Sequence, residues 1–253
     1  TTLFRSDIMD ENGTAMIPVK GGHYFTEMSV GKNLLNYDSL FVLTHFKGHT
    51  MGGFGGSNKN IGIGCADGRI GKAMIHTTPG QSQWSIANEE FMERMTESAK
   101  ATVDHFGKNI AFINVLRNMS VSCDCEGVAA EPVVTPNIGI LASLDIAAID
   151  SASVDLVYAL KDSDKAALFE RMQSRHGFRQ LSYMHEIGMG NIKYKLLLVI
   201  LAVKVPFPYC LSFFHSPSYL LPSLYSIIPY FSLFPLIIMP SYFPFSYIFI
   251  SLV

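Results

Sequence analysis

The stretch NEEFMERMTESAKATVDHFGKNIAFINVL (residues 88–116) joins an amphipathic segment to an apolar one. Apolar residues recur three and four positions apart in its first part, which predicts an α-helix over residues 88–106 with Asn88 as its N-terminal cap. The run NIAFINVL (109–116) predicts a buried strand. A helix that leads directly into a buried strand is typical of an α/β layered domain.

The same alternation continues on both sides of this stretch. TAMIPV (14–19), SLFVL (39–43) and NIGILAS (137–143) predict further strands. Residues 144–160 predict a helix capped by Asp145. Additional helices are predicted near residues 163–174 and 179–187. We therefore expect an α/β domain with a mixed, largely parallel sheet flanked by helices.

Charge and length limit the class of protein. The chain has 253 residues, with 19 Lys and Arg against 21 Asp and Glu, so its formal net charge is only −2. This balance gives no basic field for nucleic acid. Residues 7–195 are predicted to form a single α/β domain that is truncated at its N-terminus. Residues 1–6 (TTLFRS) resemble the in-frame translation of a sequencing-adapter end and are excluded from the fold prediction.

Residues 196–253 form a hydrophobic tail rich in Pro, Phe and Ser, with no charged residue after Lys204. A membrane-spanning helix needs about 20 consecutive apolar residues. Recurrent prolines would break such a helix, which argues against a membrane anchor. We interpret the tail as a non-native extension from a frameshift or read-through, without regular fold. The alternative is a genuine hydrophobic tail.

The cysteines indicate the compartment. Outside the tail there are three, Cys65, Cys123 and Cys125, which is too few for a complete set of disulfides. No signal peptide is visible. The prediction is a reducing, cytoplasmic location.

A glycine-rich stretch, LTHFKGHTMGGFGGSNKNIGIG (43–64), follows the strand SLFVL. In α/β sheets, ligands bind at loops that leave the carboxyl ends of strands. Glycine also lets backbone amides approach a phosphate closely. We therefore predict a cofactor-binding loop, whose alternative is an irregular turn without a ligand. The predicted cofactor-binding residues are Gly52, Gly53, Gly55, Gly56, Lys59 and Asn60.

The glycine-rich stretch and the residues after it contain histidines and a lysine that could be catalytic or bind metal. His45, His49 and Lys59 are the predicted catalytic residues, because imidazole exchanges protons near neutrality and lysine binds anions or forms covalent adducts. His49 and His76 are also predicted metal ligands. The alternative is that these histidines are structural.

The segment SVSCDCEG (120–127) is a second candidate site. In an extended segment, Cys123 and Cys125 would project from one face and could bind a soft metal or part of an iron–sulfur cluster. The alternative is a pair of buried, inert cysteines. Asp150 lies inside an apolar stretch, so it needs a polar partner if it is buried.

Several motifs together resemble a known family. THFKGHTMGGFGGSNKNIGIGCADGRIGKAMIH, INVLRNMSVSCDCEGVAAEP, IGILASLDIAAIDSASVDLVY and HEIGMG, spread over residues 7–195, are similar to the domain-of-unknown-function family 362. That family comprises uncharacterised iron–sulfur-centre proteins of anaerobic bacteria and archaea. Many members carry a ferredoxin module after the position of His76, which this chain lacks. The resemblance implies a redox role, with a ferredoxin as a separate partner.

The glycine-rich stretch also resembles the cofactor loop of nickel-dependent lactate racemases. The lysine that tethers a nickel-pincer nucleotide in those enzymes corresponds to Lys59, ten residues after His49. The histidine that ligates nickel corresponds to His76. This distant resemblance implies a metal or a nickel-pincer-type nucleotide as cofactor.

Three hypotheses for function follow. The first is a redox or metal-cofactor-dependent enzyme of anaerobic metabolism that acts on a small molecule. The second is a non-catalytic module that binds an anion or a partner. The third is a non-functional truncated gene product.

Overall fold

The computed structural model describes residues 7–78, 80–82, 84–86 and 88–197, apart from the side chains of Asp124 and Cys125. The described residues fall in one compact unit. The predictions for residues 1–6 and for the tail from residue 198 onward lie outside them. Within this part of the chain, no helix has the length and apolarity needed to cross a membrane.

Strands and helices alternate along the described residues, which confirms the α/β class. The strands are β1 (Thr14–Pro18), β2 (Glu27–Gly31), β3 (Leu40–His45), β4 (Lys47–His49), β5 (Gly53–Gly55), β6 (Ile110–Leu116) and β7 (Gly139–Ser143). The α-helices are α1 (Ser57–Gly64), α2 (Ile70–His76), α3 (Asn88–Phe106), α4 (Ile146–Tyr158), α5 (Asp162–Ser174) and α6 (Arg179–Glu186). Short 3-10 helices span Lys32–Asn36 and Asp124–Ala129.

Three strands form the central sheet in the order β3-β6-β7. β3 and β6 run parallel with Thr44 opposite Asn114, whereas β6 and β7 run antiparallel. The sheet is therefore mixed, as predicted. β1 with β2 and β4 with β5 form separate antiparallel hairpins, so parallel pairing is confined, among the described strands, to β3 and β6.

The two faces of the central sheet differ in burial. Val42, Phe112 and Leu141 on one face are buried, and α1 and α4 contact the strands. On the opposite face, Phe41 and Leu43 of β3 are 64% and 63% exposed. Because side chains alternate along a strand, Thr44 at the end of β3 shares the buried face with Val42, whereas His45 shares the exposed face with Leu43.

The helix predicted over residues 88–106 has those bounds in α3. Its residues Phe91, Met95 and Ala99 are fully or almost fully buried and belong to the main hydrophobic core. The cap predicted for α4 is also present, since Oδ1 of Asp145 accepts a hydrogen bond from the Ala148 amide at 2.9 Å. Local patterns were sufficient for both helices.

The stretch 43–64 differs from the loop that its glycines predict. It contains the β4–β5 hairpin and then α1, so that Lys59 and Asn60 lie on a helix. Glycines 62 and 64 make this a poor helix on propensity alone. Tertiary contacts stabilise it: a Cβ at Gly62 would lie 2.5 Å from the Met95 carbonyl oxygen, so the glycine allows α1 to approach α3.

Candidate functional site

A pocket of about 220 Å³ lies at the carboxyl end of β3, between β5 and the first turn of α1. This is the edge of the sheet where ligands bind in many α/β proteins. Its lining residues are Leu43, Thr44, His45, Lys47, Gly55, Gly56, Lys59 and Asn60. The predicted residues His45, Gly55, Gly56, Lys59 and Asn60 are therefore brought together here.

The pocket is basic. Lys47 and Lys59 both line it, and none of its described lining residues is acidic. A Cβ placed on Gly55 would lie 4.0 Å from Lys47 Cγ and 4.0 Å from Lys59 Cδ, so the stems of both lysines flank this glycine. Two like charges on one small pocket favour a bound anion, since each lysine acts on phosphate or carboxylate as a point charge.

Hydrogen bonds fix the pocket walls. Nδ2 of Asn60 donates to the Leu43 carbonyl at 3.1 Å and to Thr44 Oγ1 at 2.9 Å, which ties α1 to the end of β3. His45 Nε2 donates to the Arg117 carbonyl at 2.8 Å. This bond places the proton of a neutral His45 ring on Nε2. These contacts hold the carboxyl end of β3 against α1 on one side and against the residue that follows β6 on the other.

The N-terminus of α1 is occupied by an internal anion. Asp150 of α4 is fully buried, and its carboxylate accepts from the Ser57 amide at 2.8 Å and from the Asn58 amide at 2.9 Å. Burial raises the pKa of Asp150 to about 6, against the lowering effect of its hydrogen bonds. The polar partner expected for a buried Asp150 is therefore present, and these two amides are already used.

A buried polar network extends from this carboxylate to the sheet. Asn114 of β6 donates from Nδ2 to Asp150 Oδ1 at 2.8 Å and to Ser153 Oγ at 2.9 Å. Its Oδ1 accepts from Ser57 Oγ at 2.8 Å. The network joins β6, α1 and α4 directly behind the pocket.

The glycines predicted to bind a cofactor have different roles. A Cβ on Gly56 would lie 2.5 Å from Asp150 Oδ1, so this glycine makes room for the carboxylate. Gly53 has a φ of 73° and packs on Gly177. A Cβ on Gly53 would lie 2.7 Å from the Cα of Gly177. Gly52 contacts His49 and Gln180 and, like Gly53, is outside the pocket lining. Of these glycines, Gly55 and Gly56 line the pocket.

His49 ends β4 and is 8% exposed. Its Nδ1 accepts from the Met51 amide at 3.2 Å and from the Gly52 amide at 2.9 Å. Burial lowers the pKa of His49 to about 4, with further lowering by Lys59 and Lys47 and an opposing effect of Glu126. His49 is therefore neutral at physiological pH, and it is not among the residues that line the pocket.

His76 ends α2 and lies against aromatic side chains. Its Nδ1 is 2.7 Å from the Lys72 carbonyl, and its ring centroid is 4.3 Å from that of Trp84 and 5.1 Å from that of Phe91. Burial lowers the pKa of His76. It is not among the residues that line the pocket.

The cysteine segment lies beside the β4–β5 hairpin. The Gly48 amide donates to the Ser120 carbonyl at 2.8 Å, and a Cβ on Gly48 would overlap the Val121 backbone. Cys123 is buried and disulfide-bonded. A sulfur in a disulfide is not a thiolate, so the predicted role of Cys123 as a metal ligand would require reduction. The side chain of Cys125 is outside the described part of the structure.

The described residues do not form a protein metal site. Among the described residues, no group of three or more His, Cys, Asp and Glu side chains is placed to hold a metal ion. Burial raises the pKa of Cys65 to about 11, which disfavours its thiolate.

Sequence reasoning did not place Lys47, Asn114 and Gln180 among the site residues. Lys47 follows β3 by two positions, and its place beside the carboxyl end of a strand was a usable signal. Asn114 sits in an apolar strand, where an isolated amide needs a polar partner. Gln180 carried no local signal, because its contacts lie more than a hundred residues away in the chain.

These features define an α/β protein with a small basic pocket at the carboxyl end of a parallel strand pair. The family model for the domain of unknown function DUF362 matches residues 3–155, so the chain belongs to this family. The family resemblance noted in the sequence is thereby confirmed. No curated protein and no solved structure matches the chain. The similarity to nickel-dependent racemases and the absence of a ferredoxin module stay predictions.

Proposed function

We propose that the protein binds a small anionic molecule, carrying phosphate or carboxylate, in the pocket between β3, β5 and α1. The observation that carries this proposal is the pair of lysines, Lys47 and Lys59, on one small pocket whose described lining residues include no acid. Of the hypotheses from the sequence, the anion-binding module is the one that this geometry supports best.

The volume of the pocket limits the size of the ligand group that it can hold. The volume of about 220 Å³ is below the roughly 300–1,000 Å³ of typical ligand pockets, so the pocket suits a small group. A phosphate group or a short dicarboxylate has this size, whereas a complete dinucleotide does not. A larger ligand would place only its anionic group in the pocket.

The energetics also favour a doubly charged group. At an effective dielectric constant of 20, two unit charges 4 Å apart attract by about 4 kcal/mol. Each pocket lysine offers an interaction of this order, less the cost of desolvating both partners. We therefore expect affinity to fall as salt is added.

A metal-dependent or redox enzyme remains a prediction from the sequence. No arrangement of the described side chains favours it over anion binding. Metal analysis and an absorption spectrum of the anaerobically purified full chain would test it, and a bound metal or a cluster chromophore in stoichiometric amount would support it.

Calorimetric titration with inorganic phosphate and with oxalate at low ionic strength tests the anion proposal. We expect Lys59→Met and Lys47→Met each to weaken binding by about tenfold or more. Lys108→Met is the matched control, because Lys108 is exposed and precedes the opposite end of the sheet. Absence of binding by the wild type, or wild-type affinity in Lys59→Met, would overturn the proposal.

A further inference from the structure

The ring of His49 has one nitrogen whose state the backbone dictates. Nδ1 accepts from the amides of Met51 and Gly52, at 3.2 and 2.9 Å. A backbone amide can only donate, so Nδ1 must present its lone pair. In the neutral ring the proton is then on Nε2.

The Nε2–H group of this largely buried ring donates to no residue in the described part of the chain, although the ring is 8% exposed. This nitrogen does not belong to the fully buried polar atoms of the described residues that have no partner, so it reaches solvent, and a ligand oxygen could replace water as its acceptor. His49 and Lys47 are two positions apart on β4, so their side chains project from the same face of the strand. Lys47 lines the pocket, so an anion held beside Lys47 lies on the same side of the hairpin as this donor.

Gln180 of α6 supports the turn that holds the ring. Its Nε2 donates to the Gly52 carbonyl at 2.7 Å and to the Phe54 carbonyl at 3.2 Å. Its Oε1 accepts from Asn58 Nδ2 at 3.2 Å. Gln180 therefore fixes the β4–β5 turn, whose amides fix the tautomer of His49.

We infer that His49 contributes an Nε2–H donor to an oxygen atom of the bound anion and is not a metal ligand, with Gln180 as the residue that positions it. This inference rests on the proposed anion pocket and adds a neutral hydrogen-bond donor to its two cationic groups.

The same geometry disfavours coordination of a metal. Binding through Nε2 would need the lone pair there and would move the proton to Nδ1. That proton would face two amide N–H groups and would displace two hydrogen bonds. A histidine that ligates metal normally donates its other N–H to an acceptor, and here that position faces donors.

The tautomer can be measured directly by ¹⁵N NMR of the histidine-labelled full-length protein. We expect His49 to be the Nε2–H tautomer from about pH 5.5 to 8, and one equivalent of Zn²⁺ to leave its Nε2 signal unshifted. A proton on Nδ1, or a coordination shift at Nε2, would overturn the inference.

A substitution of Gln180 tests whether this residue positions the ring of His49. Gln180→Leu removes both hydrogen bonds to the turn with little change in volume, so we expect a mixture of His49 tautomers. Gln173→Leu on α5, where Gln173 is exposed, is the matched control and should leave the single tautomer. One unchanged tautomer in Gln180→Leu would refute the role of Gln180.

Phosphate titration then tests the contact with the ligand. His49→Gln keeps an N–H donor near the position of Nε2, so we expect affinity within about threefold of the wild type. His49→Leu keeps no donor and should bind about tenfold more weakly. If Lys59→Met abolishes binding while His49→Leu binds normally, the inference about His49 is wrong and the proposed anion pocket still stands. If the wild type does not bind, the proposed function itself fails.

Discussion

The carboxyl group of Asp150 accepts hydrogen bonds from the first turn of α1 inside the protein. Two amide groups at a helix N-terminus provide hydrogen bonds and a positive potential, and both favour an anion. Burial opposes ionisation, and it is the larger effect, because the pKa of Asp150 rises to about 6. This residue therefore links folding stability to pH.

We predict that Asp150→Asn changes the pH dependence of stability. The unfolded chain loses this proton near pH 3.8 and the folded protein near pH 6, so between these values the folded state binds more protons. Ionisation of Asp150 thus lowers the free energy of unfolding as pH rises through this window, by about 3 kcal/mol in total. Asparagine does not ionise.

Urea unfolding of both proteins from pH 4 to pH 8 measures this difference. The stability of the wild type relative to Asp150→Asn should decrease between about pH 4 and pH 6 and stay constant above pH 7. Parallel profiles across the whole range would contradict the prediction.

At the scale of elements, the junction between β5 and α1 depends on a glycine. Gly56 lies between the pocket and the Asp150 carboxylate, and no side chain fits in that direction. Its backbone is extended, with φ of −101°, so the requirement is space and not a left-handed conformation. The preceding Gly55 instead faces the two lysine stems at ordinary contact distance.

Neighbouring alanine substitutions should therefore differ. Gly56→Ala forces a methyl group against Asp150 and should lower the free energy of unfolding by about 1–3 kcal/mol, as overpacking does. Gly55→Ala is its control, with nearest atoms 4.0 Å away, and should remain within about 0.5 kcal/mol of the wild type. Denaturant titration compares them, and equal stabilities would show that Gly56 has room to adapt.

At the scale of the whole molecule, Glu97 joins three separate segments. From the middle of α3, its carboxylate accepts the amides of His23 at 2.6 Å and Phe25 at 2.9 Å, and the hydroxyl of Tyr183 at 2.6 Å. The Tyr24 amide also donates to it. One buried side chain thus attaches the loop of the β1–β2 hairpin and helix α6 to the core.

We predict that Glu97→Gln lowers the free energy of unfolding by about 3 kcal/mol, because the amide group cannot accept all these donors and leaves some unpaired. Hydrogen exchange should rise first in β1 and β2. Glu89→Gln, an exposed change at the start of the same helix, is the control. Unchanged exchange in the hairpin of Glu97→Gln would contradict the anchoring role.

The sequence by itself determined the elements whose signals are local. The helix Asn88–Phe106 follows from its apolar spacing, the cap of α4 from Asp145, and strands β1, β3, β6 and β7 from their β-branched and apolar runs. These patterns act over three or four residues, so they can be recognised without knowledge of the fold. The family resemblance was likewise visible in contiguous motifs.

Tertiary structure alone decided what occupies the glycine-rich stretch. The anion at the start of α1 is Asp150, 93 residues beyond Ser57, and the support of the β4–β5 turn is Gln180, 128 residues beyond Gly52. Such pairings depend on how α1, α4 and α6 pack, which no local pattern encodes. The stretch that predicted a cofactor-binding loop is therefore a hairpin and a helix, and Lys47 and Lys59 line the pocket beside them.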